Sequence, residues 1–256
     1  MPKKNREKTE PEISGEEVGS EMSFLDHLGE LRKRIVWGLI GIIIGSIIAG
    51  IFVDKILEFV LLGPATRVGL ALQNLRPFGQ PFLYFKVIIV AGIIIAFPFI
   101  IYQLWKFIAP GLYSKEKFWV GRITFFTSFC FLFGVAFAYF VMIPSMLGFA
   151  ASFGTEKIKN IIDVNEYLSF IITILLASGL VFELPMVSYV LARVGILTPK
   201  VMRKFRRHSI IIILIIAAVL TPTPDPISQL IFAAPLFVLY EISIWVAKIG
   251  EKKYES

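Results

Sequence analysis

Four stretches of this sequence are too long and too apolar for an ordinary soluble core. Residues 35–53 and 87–105 each run 19 positions without a charge, and 123–143 runs 21. Residues 167–192 span 26 positions with a single charge, Glu183. At about 1.5 Å per residue, a helix over any of them crosses a hydrocarbon core of about 30 Å. The chain is therefore predicted to be an all-α, polytopic membrane protein. Composition agrees: 56% of its 256 residues are hydrophobic and 18% charged, against about 45–50% and 25% in soluble domains. One cysteine, Cys130, excludes a disulfide framework. The net charge of +7 is read as membrane orientation and contact with anionic lipid, not as nucleic-acid binding.

Two shorter apolar segments follow, 209–220 and 227–240, separated by TPTPDP at 221–226. Three prolines in six residues cannot continue a helix. The pair reads either as a re-entrant hairpin or as two short spans with local thinning of the bilayer. With six crossings, the N-terminal region, second loop, fourth loop and C terminus hold 20 of the 26 Lys and Arg residues. The positive-inside rule then places both termini in the cytoplasm. Six spans, the last two short, are preferred. Pro98, Pro185 and Pro235 lie inside apolar segments and Pro144 is expected to end the third, which favours a curved bundle of bent helices. Gly41 and Gly45 form one GxxxG, a helix-packing signal.

Residues 1–21 are polar and read as a disordered tail. Residues 22–34 place Phe24, Leu25, Leu28 and Leu31 at helical spacing, an amphipathic entry to the first span. Residues 22–248 are taken as one membrane domain and 249–256 as a cytoplasmic tail.

Glu183 lies ten residues before Arg193, roughly 15 Å deep along a helix. A central carboxylate is expensive in lipid. It either locks two helices internally or binds a partner helix or a proton, and Pro185 beside it can free a backbone carbonyl. Glu30 and Glu116 fall on one membrane face, where two carboxylates suit guanidinium groups. The plainer alternative is a pair of solvated ion pairs, Glu30 with Lys33 or Arg34 and Glu116 with Lys115 or Lys117. Asp225 reads first as a helix cap and Gln229 as a bond to another helix. No Walker A, HExxH or GxSxG pattern is present, and His27, His208 and Cys130 suggest no metal site. The chain is read as no enzyme, with no cofactor.

Four stretches, FLDHLGELRKRI at 24–35, QLWKFIAPGLYSKEK at 103–117, GLVFELPM at 179–186 and TPTPDPISQ at 221–229, together resemble TatC, the multi-span receptor of the twin-arginine protein translocase. The resemblance implies six spans in a glove-like shape in a prokaryotic cytoplasmic (inner) membrane. It also implies transport of folded proteins driven by the proton-motive force, in a multi-copy complex with TatA- and TatB-type single-span subunits. The family's signal-peptide carboxylates fall on Glu30 and Glu116, with Arg32, Phe107 and Leu112 nearby. Its intramembrane glutamate falls on Glu183, and its assembly positions on Asp225 and Gln229. The rival from another class is an ion-coupled small-solute transporter using Glu183 as a proton relay.

Overall fold

A computed structural model describes residues 24–108, 119–152, 161–220 and 226–251. Helix α1 (Phe24–Ile51) makes the amphipathic entry and the first apolar stretch one continuous rod. A cap follows, made of α2 (Val53–Lys55), a π-helical segment (Ile56–Leu62), α3 (Gly63–Arg67) and strand β1 (Ala71–Gln73). Helix α4 (Gly79–Ile108) returns to the face where α1 begins. The third rod joins α5 (Trp119–Phe137), a π-helical turn (Ala138–Met142) and α6 (Ile143–Ser152). Strand β2 (Ile161–Asp163) pairs in parallel with β1, and α7 (Val164–Val181) and α8 (Leu184–Arg193) run back as a broken rod. Helix α9 (Pro199–Lys204) turns the chain into α10 (Arg206–Leu220), which packs on α11 (Pro226–Gly250).

Among the described residues, five helical rods are long and apolar enough to cross a membrane. Helix α10, at 15 residues, reaches about 22 Å. Helix α11 corrects the expectation of two short final helices, since it is 25 residues long. Arg206 at the start of α10 pairs with Glu241 at 2.6 Å, and Tyr240 donates its hydroxyl hydrogen to the Met202 carbonyl at 2.8 Å. These polar ties fasten α11 to the α9–α10 corner. Pro144 also departs from expectation, because it sits inside α6 and does not end the rod. The π-helical turn before it accommodates the backbone donor that proline lacks. The paired strands form the one sheet among the described residues.

Helix α1 lies on α4 through small residues. A Cβ on Gly92 would stand 2.6 Å from the Ser46 backbone nitrogen, and one on Gly45 would collide with the Gly92 carbonyl oxygen. Side chains on the other side of α1, among them Ile43, Ile47 and Ile51, are exposed. Backbone proximity is therefore what docks α1, as the GxxxG spacing predicts. The main core lies further in, around Ile143, Leu168, Ile171, Ile174 and Phe232.

The sheet-side cap is fastened by side chains that catch backbone groups. The buried Tyr167 hydroxyl donates to the Leu61 carbonyl at 2.8 Å, and Tyr139 to the Phe59 carbonyl at 3.0 Å. Both carbonyls belong to the π-helical segment. Asp163 caps α7, accepting from the Asn165 backbone N–H at 2.6 Å. Desolvation pushes its carboxyl up, but hydrogen bonds from Asn165, Glu166 and Leu75 outweigh this and hold it below the usual carboxylate range.

Two outcomes are expected. Gly92→Leu should lower the thermal stability of the detergent-purified protein by about 1–3 kcal/mol, by overpacking the α1–α4 contact. Gly148→Ala, where nothing lies within 4 Å, should not. The stability that Asp163 contributes is present near neutral pH and lost as pH falls through its depressed pKa. Asp163→Asn should therefore flatten the acid limb of a melting-temperature profile, and an unchanged limb would refute this.

Candidate functional site

Acidic residues occur in two distinct settings in the helical half of the molecule. The first is the mouth between α1 and α4. Glu30 and Arg34 are one helical turn apart on α1, the spacing that brings side chains together. The Arg34 guanidinium donates to Glu30 Oε1 at 2.9 Å through Nη2 and to Gln103 Oε1 on α4 at 3.2 Å through Nη1. Gln103 is 8% exposed, and the Arg34 and Glu30 side chains 17% and 18%. Glu30 Oε2 and Arg34 Nε are enclosed without hydrogen-bond partners. Just outside, His27 stacks on Phe107, with ring centroids 4.5 Å apart. Arg34, Gln103 and Phe107 border an apolar cleft of about 260 Å³ whose other walls include Leu31, Ile35 and Leu104.

Of the residues the sequence singles out for this site, Glu30 and Phe107 are brought to the same mouth. Arg32 is exposed on α1. Leu112 and Glu116 lie outside the described residues. The plainer reading of Glu30 is realised in part: it is ion-paired with Arg34, but in an enclosed pair and not a solvated one.

The second setting is the break between α7 and α8. Pro185, in the first turn of α8, is buried and cannot donate to the turn before it. The chain kinks at Phe182 and Glu183, with the Glu183 N–H bonded to the Leu180 carbonyl at 3.1 Å. Glu183 is 8% exposed, and neither carboxyl oxygen has a hydrogen-bond partner. Its neighbours across the interface are Cys130 and the backbone of Phe131 on α5. Small residues bring these helices close. A Cβ on Gly179 would stand 2.6 Å from the Phe131 ring, and the Ser178 hydroxyl donates to the Gly134 carbonyl at 2.9 Å. Phe131 stacks on Phe97 of α4 at 3.5 Å. Thr127, one turn before Phe131, is 3% exposed and its hydroxyl is also unpartnered, as is the Trp105 indole N–H. Among the described residues no side chain locks Glu183 to another helix, and what faces its carboxyl from α5 is the Phe131 backbone.

Gln229 works within the chain, its amide donating to the Leu214 carbonyl at 2.9 Å and pinning α11 to α10. Asp225 lies outside the described residues. Sequence reasoning missed Gln103 and Thr127 and left Arg34 as one of two partners for Glu30. Gln103 carried a signal, as the lone amide in an apolar run. Thr127 carried none, because Thr124 and Ser128 beside it are equally polar. Among the described residues no group of His, Cys, Asp and Glu is placed to hold a metal.

A family model described as TatC, Sec-independent protein translocase protein, matches residues 26–235. The chain is 39% identical over 232 residues to the Sec-independent protein translocase protein TatC of Carboxydothermus hydrogenoformans, covering 91% of this chain and 95% of that protein. It is 36% identical over 236 residues to the protein of that name from Aquifex aeolicus, covering 91% and 97%. A crystal structure of the twin arginine translocase receptor TatC superposes with a TM-score of 0.78 at 37% identity, over 88% of this chain and 99% of that one. A second, in DDM, gives 0.79 at 36% identity, over 88% and 100%.

The unpartnered carboxyl at Glu183 makes a definite demand on stability. Glu183→Met, of similar length and without oxygens to satisfy, should stabilise the isolated protein in detergent by about 1–3 kcal/mol. A lower melting midpoint in the variant would show that the carboxyl already has what it needs.

Proposed function

The chain belongs to the TatC family of Sec-independent protein translocase proteins, and from that premise we propose that it is the signal-peptide receptor and core subunit of a twin-arginine translocase. It is a membrane-embedded transport component, not an enzyme. Glu30 and Glu116 each accept one guanidinium of the peptide's arginine pair, with Arg32, Phe107 and Leu112 shaping the approach. The observation that carries this reading is Glu30, a carboxylate bonded to Arg34, which lines an apolar cleft together with Phe107. A cleft of that kind suits a peptide whose charged pair is followed by an apolar run. Arginine is favoured over lysine because its planar fork offers several fixed donors.

Glu183 serves a separate step. Its unpartnered oxygens, at a helix break packed on α5, suit a polar side chain on a single transmembrane helix of the TatA or TatB type. Such a contact gives both groups a hydrogen-bond partner in lipid. Asp225, Gln229 and Pro185 support assembly by shaping the α10–α11 hairpin and the α7–α8 break. The protein sits in a prokaryotic cytoplasmic membrane as one six-span unit over residues 22–248, within a multi-copy complex. Both termini, with the polar segments 1–21 and 249–256, lie in the cytoplasm, because Lys and Arg concentrate on that side. The proton-motive force drives transport, as the likeness to the TatC family implies.

The test is binding of a twin-arginine signal peptide to the detergent-purified protein, with a twin-lysine peptide as control. Glu30→Gln and Glu116→Gln should each weaken twin-arginine binding about 10- to 100-fold, the loss of one charge-assisted hydrogen bond. Glu183→Ala should leave peptide binding intact and abolish crosslinking to the partner helix. Equal binding of both peptides by all variants would refute the receptor reading.

A further inference from the structure

Glu30 is already occupied. Its Oε1 is held by Arg34 at 2.9 Å, and its Oε2 is enclosed and reached by no donor. Oε1 is thus engaged and Oε2 is shut off from the surface, so an incoming guanidinium reaches this carboxylate only when Arg34 moves aside. We propose that Arg34 is an internal stand-in for the ligand's arginine, so that peptide binding at Glu30 is an exchange of one guanidinium for another. The inference rests on the reading of Glu30 as a signal-peptide acceptor.

Three features support exchange over simple addition. Arg34 is held at both ends of its fork, by Glu30 on its own helix and by Gln103 on α4. Gln103 is more than nine-tenths buried and keeps an acceptor for Arg34 when Glu30 changes partner. Second, the Arg34–Glu30 contact is a single hydrogen bond with Nε and Oε2 unused, weaker than the two-bond fork a guanidinium can make with a carboxylate. A ligand arginine able to form that fork has an advantage over the resident one. Third, a second guanidinium added beside an intact, mostly buried ion pair would place two cations on one carboxylate, which like-charge repulsion opposes. Displacement keeps the local charge balanced.

Arg34 on this account is a resident competitor that sets the affinity of the site. Displacing it costs the same for any ligand, so the contact lowers twin-arginine and twin-lysine binding by one common factor. The choice of arginine comes from the fork that a guanidinium offers and an ammonium lacks.

The experiment compares wild type, Arg34→Gln, Arg34→Lys, Glu30→Gln and the Arg34→Gln/Glu30→Gln double variant. Twin-arginine and twin-lysine peptides are titrated against each, with a melting midpoint recorded to confirm folding. Arg34→Gln should tighten twin-arginine binding ~10-fold, the size of one charge-assisted hydrogen bond released from competition. It should tighten twin-lysine binding by the same factor and leave the arginine preference unchanged. Arg34→Lys keeps a cation but cannot bridge both acceptors, and should fall between. The double variant should bind no better than Glu30→Gln alone. A merely structural role for Arg34 predicts the opposite sign. Weaker or unchanged twin-arginine binding in both Arg34→Gln and Arg34→Lys would therefore overturn the proposal. Wild-type binding by Glu30→Gln would instead overturn the receptor reading beneath it.

Discussion

A backbone carbonyl released inside an apolar medium has to be caught by something, and this constraint explains most of the irregular features of the fold. Helices satisfy their own backbone, which is why they cross lipid. At several places among the described residues a side chain catches a backbone carbonyl at or near an irregular segment or a helix contact. The π-helical segment Ile56–Leu62 has two carbonyls taken by Tyr139 and Tyr167. The α10–α11 hairpin is tied by Gln229 on the Leu214 carbonyl. The α5–α7 contact adds a Ser178 bond to the Gly134 carbonyl. Polar residues scattered through an apolar sequence are thus mostly backbone acceptors' partners, and only a few remain for other work.

Much of this was legible in the sequence. The long apolar runs became helices, because nothing else closes its own hydrogen bonds over 19 residues. Gly41 and Gly45 did mark the face of α1 that meets α4. Glu183 and Pro185 did mark a break, since a proline in the first turn of α8 and a carboxyl in the same bend disturb one helix together. Other features were not readable. Pro144 looked like a terminator, but a π-helical turn beside it lets the rod continue. The length of α11 was hidden because the single charge at Glu241 interrupts the uncharged run, although ISIWVA at 242–247 is apolar again and the helix continues to Gly250. The β1–β2 pair joins segments about ninety residues apart, which no local pattern announces.

The two carboxylates show why residue type and spacing leave a site underdetermined. Glu30 and Glu183 are both acidic residues near helix interfaces, yet the fold treats them oppositely. Glu30 has a cation one turn away on its own helix, so it can be enclosed as an ion pair. Glu183 faces Cys130 and Phe131 on α5, neither of them a cation. The difference comes from which helix lies opposite, and helix pairing is set by small residues far from either glutamate in sequence. The Phe97–Phe131 stack connects the two settings, since Phe97 lies six residues before Gln103, about 9 Å along α4.

The distribution of unsatisfied polar atoms follows the same logic. Among the described residues, enclosed side-chain atoms without partners are Glu30 Oε2, Arg34 Nε, Trp105 Nε1, Thr127 Oγ1 and both oxygens of Glu183. None belongs to the cap or the paired strands, where Asp163, Tyr139 and Tyr167 are all engaged. Folded proteins leave few such groups, because each costs about 1–3 kcal/mol. Their absence from one end and concentration at the other is not what random imperfection in packing produces. The sheet-side cap is chemically complete as it stands. The helical half, from the α1–α4 mouth to the α7–α8 break, has donors and acceptors that the chain itself does not use, and those are the groups a peptide arginine or a partner helix can satisfy.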